Sequence, residues 1–157
     1  MNIIFLDIDG VLVTRNSVKY QFLHQPQSDK IRFSRRAVNN LNKLIKKTSA
    51  KIVITSTWRL LYTLDELIVK FKEQEIKGEI ISTTSIIHHA VEDDIPRGEK
   101  IADWLADRSD VDQYVIIDDD ALADCIQFHP YNCVNTSYKD GFASDGKLEE
   151  ALHILLG

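Results

Sequence analysis

Cysteine is scarce in this chain: Cys125 and Cys133 are the only two among 157 residues. That excludes the disulfide framework of a small secreted domain. The spacing of the pair matches no compact zinc signature, so both read as reduced thiols. Glycine and proline are also few, six and three, and there is neither a low-complexity tract nor an internal repeat. No apolar run passes five residues, which excludes a membrane-spanning helix. The first residues lack the basic flank and long apolar stretch of a signal peptide, so the expected address is the cytoplasm. A basic excess is missing as well. The net charge of −5 argues against tight, non-specific nucleic-acid binding. Two local clusters, Lys30, Arg32, Arg35 and Arg36, then Lys43, Lys46, Lys47 and Lys51, read as solvated faces.

What is present is an ordinary globular composition, 44% hydrophobic and 27% charged. The length suits a single domain over residues 1–157. Residues 2–8 read as the first strand, whose four consecutive apolar residues Ile3–Leu6 are of the kind buried on both faces in a central parallel strand. Residues 10–33 are polar, without a sustained period, and read as a loop or small irregular insert. Ser34 caps an expected helix to about Lys47, with Val38, Leu41, Leu44 and Ile45 on one face. A second strand is expected over residues 51–55. Thr63 and Glu66 have capping-box form and open the next helix, and Gly78 closes that region. A short strand is expected over residues 79–82 and a loop over 83–97. The next helix turns Ile101, Trp104 and Leu105 inward. Residues 114–117 and 133–135 are two further strands, and the last helix spans about 146–156. Strands alternating with helices predict an α/β fold. The expected form is three layers, doubly wound around a mainly parallel, Rossmann-like sheet.

Polar residues of particular kinds end three of these strands. Asp7 and Asp9 end the first, and share one side if the extended geometry persists. Thr55, Ser56 and Thr57 end the second; Asp118, Asp119 and Asp120 end the third. Arg97 opens a helix between the last two, with Lys100 close by. In open α/β sheets, ligands bind at the carboxyl ends of the strands. Up to five carboxylates gathered there would raise one another's pKa values or recruit a counter-ion, and hard oxygen donors suit Mg²⁺. An Asp carboxylate can attack phosphorus, a second can move the proton, and a hydroxyl and a cation can hold the remaining oxygens. The residue types therefore match phosphoryl transfer.

The ordered set D-x-D-G-V, strand-end hydroxyl, helix-opening basic residue and strand-end Asp pair resembles the haloacid dehalogenase-like (HAD) superfamily of phosphatases and phosphotransferases. The resemblance implies Asp7 as nucleophile and Asp9 as general acid/base. It implies Thr55, or Ser56, as the phosphate-binding hydroxyl and Arg97, or Lys100, as the phosphate-binding cation. Asp118 and Asp119 would hold Mg²⁺ with Asp7 and the backbone carbonyl of Asp9. Phe5–Leu12, Thr55–Arg59, Arg97–Ile101 with Trp104 and Leu105, and Ile117–Asp120 are similar to the small HAD domains associated with RNA-repair systems. There the expected substrate is a phosphorylated nucleic-acid end. The expected enzyme is a hydrolase acting on phosphoric monoesters. Alternatives on the same residues are a phosphotransferase, a small-metabolite phosphatase, or a non-catalytic metal- and phosphate-binding module. Residues 12–33 and 58–96 leave no room for a full cap domain, which favours large substrates. Trp58 reads as core, with stacking on a base as the alternative. Arg59 either meets a substrate phosphate or pairs with Asp65 or Glu66. His24, His88, His89, His129 and His153 show no ligand spacing, and His88 and His89 read as solvent-exposed.

Overall fold

The computed structural model describes residues 1–85 and 95–157. The expected reading of His88 and His89, and most of the 83–97 loop, lies outside these residues. The chain forms β1 (Asn2–Leu6), α1 (Arg15–His24), α2 (Arg35–Thr48), β2 (Lys51–Ile54), α3 (Trp58–Leu61) and α4 (Leu64–Glu73). There follow β3 (Ile80–Thr83), α5 (Arg97–Ala106), β4 (Gln113–Asp118), α6 (Ala121–Asp124), β5 (Cys133–Asn135), a 3-10 turn (Gly141–Ala143) and α7 (Lys147–Leu156).

Among the described residues five strands make one sheet in the order β3-β2-β1-β4-β5, and these pairings are all parallel. The most apolar strand, β1, lies at its centre, with Leu6 opposite both Ile54 and Ile117. Alternate residues feed two cores. Ile4 and Leu6 pack with α2, α4 and α7, while Ile3 and Phe5 pack with Ile101 of α5 and with Cys125. Helices therefore cover both faces of the sheet, as the alternation of elements predicts. The cysteines are free, and among the described residues no helix is long and apolar enough to cross a membrane.

Local signals explain most of the boundaries. The Ser34 hydroxyl accepts from the Ala37 N–H at 3.2 Å, satisfying a helix-end donor. Thr63 and Glu66 form the reciprocal capping box, at 3.0 and 3.2 Å. Gly78 does not end α4, which stops at Glu73. Its lack of a side chain serves packing instead, because a Cβ would come within 2.6 Å of Ile45 Cδ1.

The insert after β1 is not irregular. It contains α1, opened by a capping box between Thr14 and Ser17. Only Ser17 of this helix is buried, while Val18, Tyr20, Phe22 and Leu23 are exposed. A helix with no buried apolar stripe has no 3.6-residue period to read. The single turns α3 and α6 are too short to show one. Among the described residues no separate cap stands beside this core.

Beyond β1 the backbone does not stay extended. The Val11, Leu12 and Val13 N–H groups all donate to the Ile8 carbonyl, at 3.2, 2.8 and 3.0 Å. Gly10 makes the bend at φ +81°, a conformation that carries a Cβ penalty of roughly 1–2 kcal/mol for other residues. A Cβ there would also lie 2.2 Å from Asp119 Oδ2. Gly10→Ala is expected to lower the thermal midpoint by several degrees and to displace Asp119. Melting followed by circular dichroism tests this; an unchanged midpoint would contradict the tight packing of this turn.

Candidate active site

Asp7 follows the last residue of β1 and stays in the sheet, its N–H donating to the Ile117 carbonyl at 3.1 Å. Asp118 is the last residue of β4. Because β1 and β4 are parallel neighbours, both carboxylates leave the same sheet edge. Asp7 is 5% exposed and Asp118 fully buried. Asp7, Asp118 and the half-buried Asp119 each offer one oxygen within 4.8 Å of the others. Asp120 is not part of this group; it precedes α6 and is exposed.

Arg97, the first residue of α5, supplies the opposing charge. Its Nη1 lies 2.5 Å from Asp118 Oδ2 and 3.2 Å from Asp7 Oδ2. The other oxygens are also engaged. The Ile8 N–H donates to Asp7 Oδ1 at 2.9 Å, and the Asp120 N–H to Asp118 Oδ1 at 2.8 Å. Burial pushes the Asp7 carboxyl up to about 7, aided by Asp118 and opposed by Arg97. The Asp119 carboxyl is raised by burial and then by Asp118. Burial alone would lower the pKa of Arg97, but Asp118 and Asp7 outweigh it and raise it. When all three carboxylates are ionised, one guanidinium leaves two negative charges at this locus. Hard oxygen donors with that residual charge fit a divalent cation such as Mg²⁺.

Asp7 and Asp9 part company at the bend. Asp9 is exposed, and its Oδ2 accepts from the Trp58 indole N–H at 3.1 Å. Its side chain is outside the carboxylate group. Thr55 directly follows β2 and lies beside Asp7, its N–H donating to the Leu6 carbonyl at 3.0 Å. Its side chain is fully buried, and its Oγ1 has no hydrogen-bond partner among the described residues. The Ser56 hydroxyl, also buried, accepts from the Trp58 N–H at 3.2 Å. Of the two candidates, Thr55 thus holds the unengaged hydroxyl.

Arg59 does not pair with Asp65 or Glu66. It is 7% exposed, and its guanidinium donates to the carbonyls of Thr55, Ser56 and Ser85 at 3.1, 3.0 and 3.4 Å. Burial lowers its pKa, as does Arg97, while Asp7 raises it. It braces the hydroxyl loop and adds positive charge behind it. Arg97 is brought against the carboxylates, whereas Lys100 lies almost one turn further along α5.

Two residues support the site in unexpected ways. Trp58 is core by burial, yet its N–H fixes Asp9; its place directly after the hydroxyl run was the available signal. His129 is 3% exposed, with Nε2 2.7 Å from the Gly98 carbonyl and Nδ1 2.8 Å from the Tyr114 hydroxyl. A carbonyl only accepts, so Nε2 carries the proton and Nδ1 accepts from Tyr114. This strut holds the first turn of α5, and with it Arg97. Nothing in the spacing around His129 announces that role.

The buried Asp7 has a consequence for stability. The unfolded chain releases this proton near the ordinary value of 3.8, while the folded chain holds it to about 7. Between those values the folded state binds more protons, so stability in EDTA is expected to fall as pH rises, levelling off above about 7. Asp7→Asn is expected to make that slope shallower. Urea titrations of both proteins at about pH 5 and about pH 8 measure it; parallel slopes would contradict the burial of this carboxyl.

The model of the HAD domain in Swiss Army Knife RNA repair proteins matches residues 3–146. No curated protein and no solved structure matches the chain. The matched span runs from β1 to just before α7 and takes in every strand of the sheet and every group described above. By sequence match and by architecture, the chain belongs to the HAD domains of Swiss Army Knife RNA repair proteins.

Proposed function

We propose that this protein is a Mg²⁺-dependent phosphatase that hydrolyses phosphomonoesters through an aspartyl-phosphate on Asp7. The match to a HAD domain supports this reading, because HAD proteins are generally phosphohydrolases. The observation that carries the reading is the Thr55 hydroxyl, buried without a partner among the described residues, one residue beyond the strand that pairs with β1. An unsatisfied buried hydroxyl costs roughly 1–3 kcal/mol, and a phosphate oxygen is a ligand that removes that cost.

Arg97 and Thr55 hold non-bridging oxygens of the substrate, with Arg59 adding positive potential from behind the loop. A carboxylate oxygen of Asp7 attacks phosphorus, and the bond from phosphorus to the leaving oxygen breaks. Asp9, exposed at the mouth, gives its proton to that oxygen. Asp9 then takes a proton from water as the water attacks phosphorus, releasing inorganic phosphate and restoring Asp7. Asp7, Asp118 and Asp119 would hold Mg²⁺, whose chemistry when bound is neutralisation of charge on the phosphoryl oxygens.

The name of the family places such domains in RNA repair proteins, which supports a phosphorylated nucleic-acid end as substrate. The absence of a separate cap among the described residues agrees with a large substrate.

Hydrolysis of p-nitrophenyl phosphate tests the chemistry. Asp7→Asn is expected to abolish turnover, Asp9→Asn to slow it by roughly 10² or more, and EDTA to remove it until Mg²⁺ is restored. Undiminished turnover in Asp7→Asn would eliminate the nucleophile assignment. Trp58→Phe keeps most of the packing but removes the N–H that fixes Asp9. It is expected to slow an alkyl phosphate, whose leaving oxygen needs the proton, more than p-nitrophenyl phosphate. Equal losses on both would make Trp58 merely structural.

A further inference from the structure

A cleft of about 260 Å³ lies between the 29–33 segment, α3 and α4. Its walls include Phe33, Trp58 and Tyr62, with Lys30 and Lys70 facing Asp29 and Glu73. Trp58 belongs to both the cleft and the site, because its indole N–H holds Asp9. We propose that this cleft is the subsite for the terminal nucleoside of a phosphorylated strand. The inference rests on the phosphatase reading and extends it to the leaving group.

Three observations select this occupant. The first is direction. Whatever Asp9 protonates must depart on the Asp9 side, so the first unit of the leaving group emerges beside Trp58. The second is charge. Two lysines and two carboxylates cancel, and they are partly engaged already: Lys30 pairs with Glu73 at 3.4 Å, and the Lys70 ammonium lies 4.3 Å from the centre of the Tyr62 ring. A balanced cleft does not select an anion, and four charged groups do not suit a lipid tail. The third is shape and surface. The half-buried Tyr62 ring packs on the buried Trp58, centres 5.8 Å apart and planes inclined by 53°, giving one partly open aromatic wall with hydrogen-bonding groups around it. The volume falls just below the ~300–1,000 Å³ typical of drug-sized ligands, enough for one ring system. A neutral, planar group with polar edges meets these conditions, and a nucleobase is such a group. Aromatic side chains hold bases by stacking, worth roughly 1–3 kcal/mol each.

A nucleoside could come from a free nucleotide or from the end of a strand, and the substrates separate the two. kcat/KM is measured for ribose 5-phosphate, which has no base, for 5′- and 3′-nucleoside monophosphates, and for trinucleotides phosphorylated at either end. Wild type is expected to prefer a base-bearing substrate over ribose 5-phosphate by about tenfold or more, with the trinucleotide best. Tyr62→Leu, which keeps apolar volume and removes the ring, is expected to erase most of that preference through KM. Indifference of the wild type to the base, or an equal loss on all substrates in Tyr62→Leu, overturns the subsite. A free nucleotide outperforming the trinucleotide overturns the strand end. Should wild type fail to hydrolyse p-nitrophenyl phosphate, the phosphatase reading falls by itself. The subsite is then decided by fluorescence anisotropy with a dye-labelled phosphorylated trinucleotide. Binding about tenfold weaker in Tyr62→Leu supports it, and equal affinity or no binding overturns it.

Discussion

The guanidinium of Arg97 lies between the carboxylates of Asp7 and Asp118, and the arrangement of this end of the molecule depends on it. Two acids at neighbouring strand ends, both almost without solvent, repel each other strongly in a low dielectric. The sheet cannot separate them, because β1 and β4 are locked in register along their whole shared length. The positive charge therefore has to come from outside the sheet, and α5 delivers it. Gly98 lets that helix approach closely, since a Cβ there would lie 2.8 Å from the Asp124 carbonyl and from Cys125 Cα. Sheet, helix and ion pair form a single unit, in which loss of any part leaves a buried charge uncompensated.

The same bend that ends β1 gives its two acids different surroundings. Asp7 remains in the sheet, desolvated and held by the Ile8 N–H. Asp9 lies past the turn, in contact with water and with one indole N–H. Two identical side chains, two residues apart, thereby meet different environments, and the proposed phosphatase chemistry assigns bonding with phosphorus to one and proton exchange to the other. The division comes from backbone geometry at Gly10 rather than from residue type.

The parts that could be read from sequence are those with a strong local cause. Ile3 to Leu6 and Val115 to Ile117 announce buried strands by unbroken apolarity, and the acids that follow them are thereby placed at one edge. The capping box of Thr63 and Glu66 marks a helix start because it satisfies backbone donors through nearby residues. The expectation that five carboxylates gather there was too generous, since extended geometry stops at Ile8 and three remain together. The helix α1 escaped because nothing apolar on it is buried. Trp58 and His129 escaped for another reason. Their partners, Asp9 and Gly98, are 49 and 31 residues away, and no local pattern encodes a contact at that distance. Thr55 and Ser56 differ only in a contact that folding creates: the Ser56 hydroxyl accepts from the Trp58 N–H, and no such contact is legible in the sequence.

The position of β1 at the centre of the sheet has a bearing on synthesis. Its neighbours are β2 on one side and β4 on the other, and β4 begins at Gln113, more than a hundred residues further along the chain. A ribosome therefore exposes the most apolar strand of the domain long before its second partner exists. In that interval one edge of the strand has unpaired backbone groups and a surface rich in isoleucine and phenylalanine, the features that drive intermolecular strand pairing. Slow translation between β2 and β4 would lengthen that exposure.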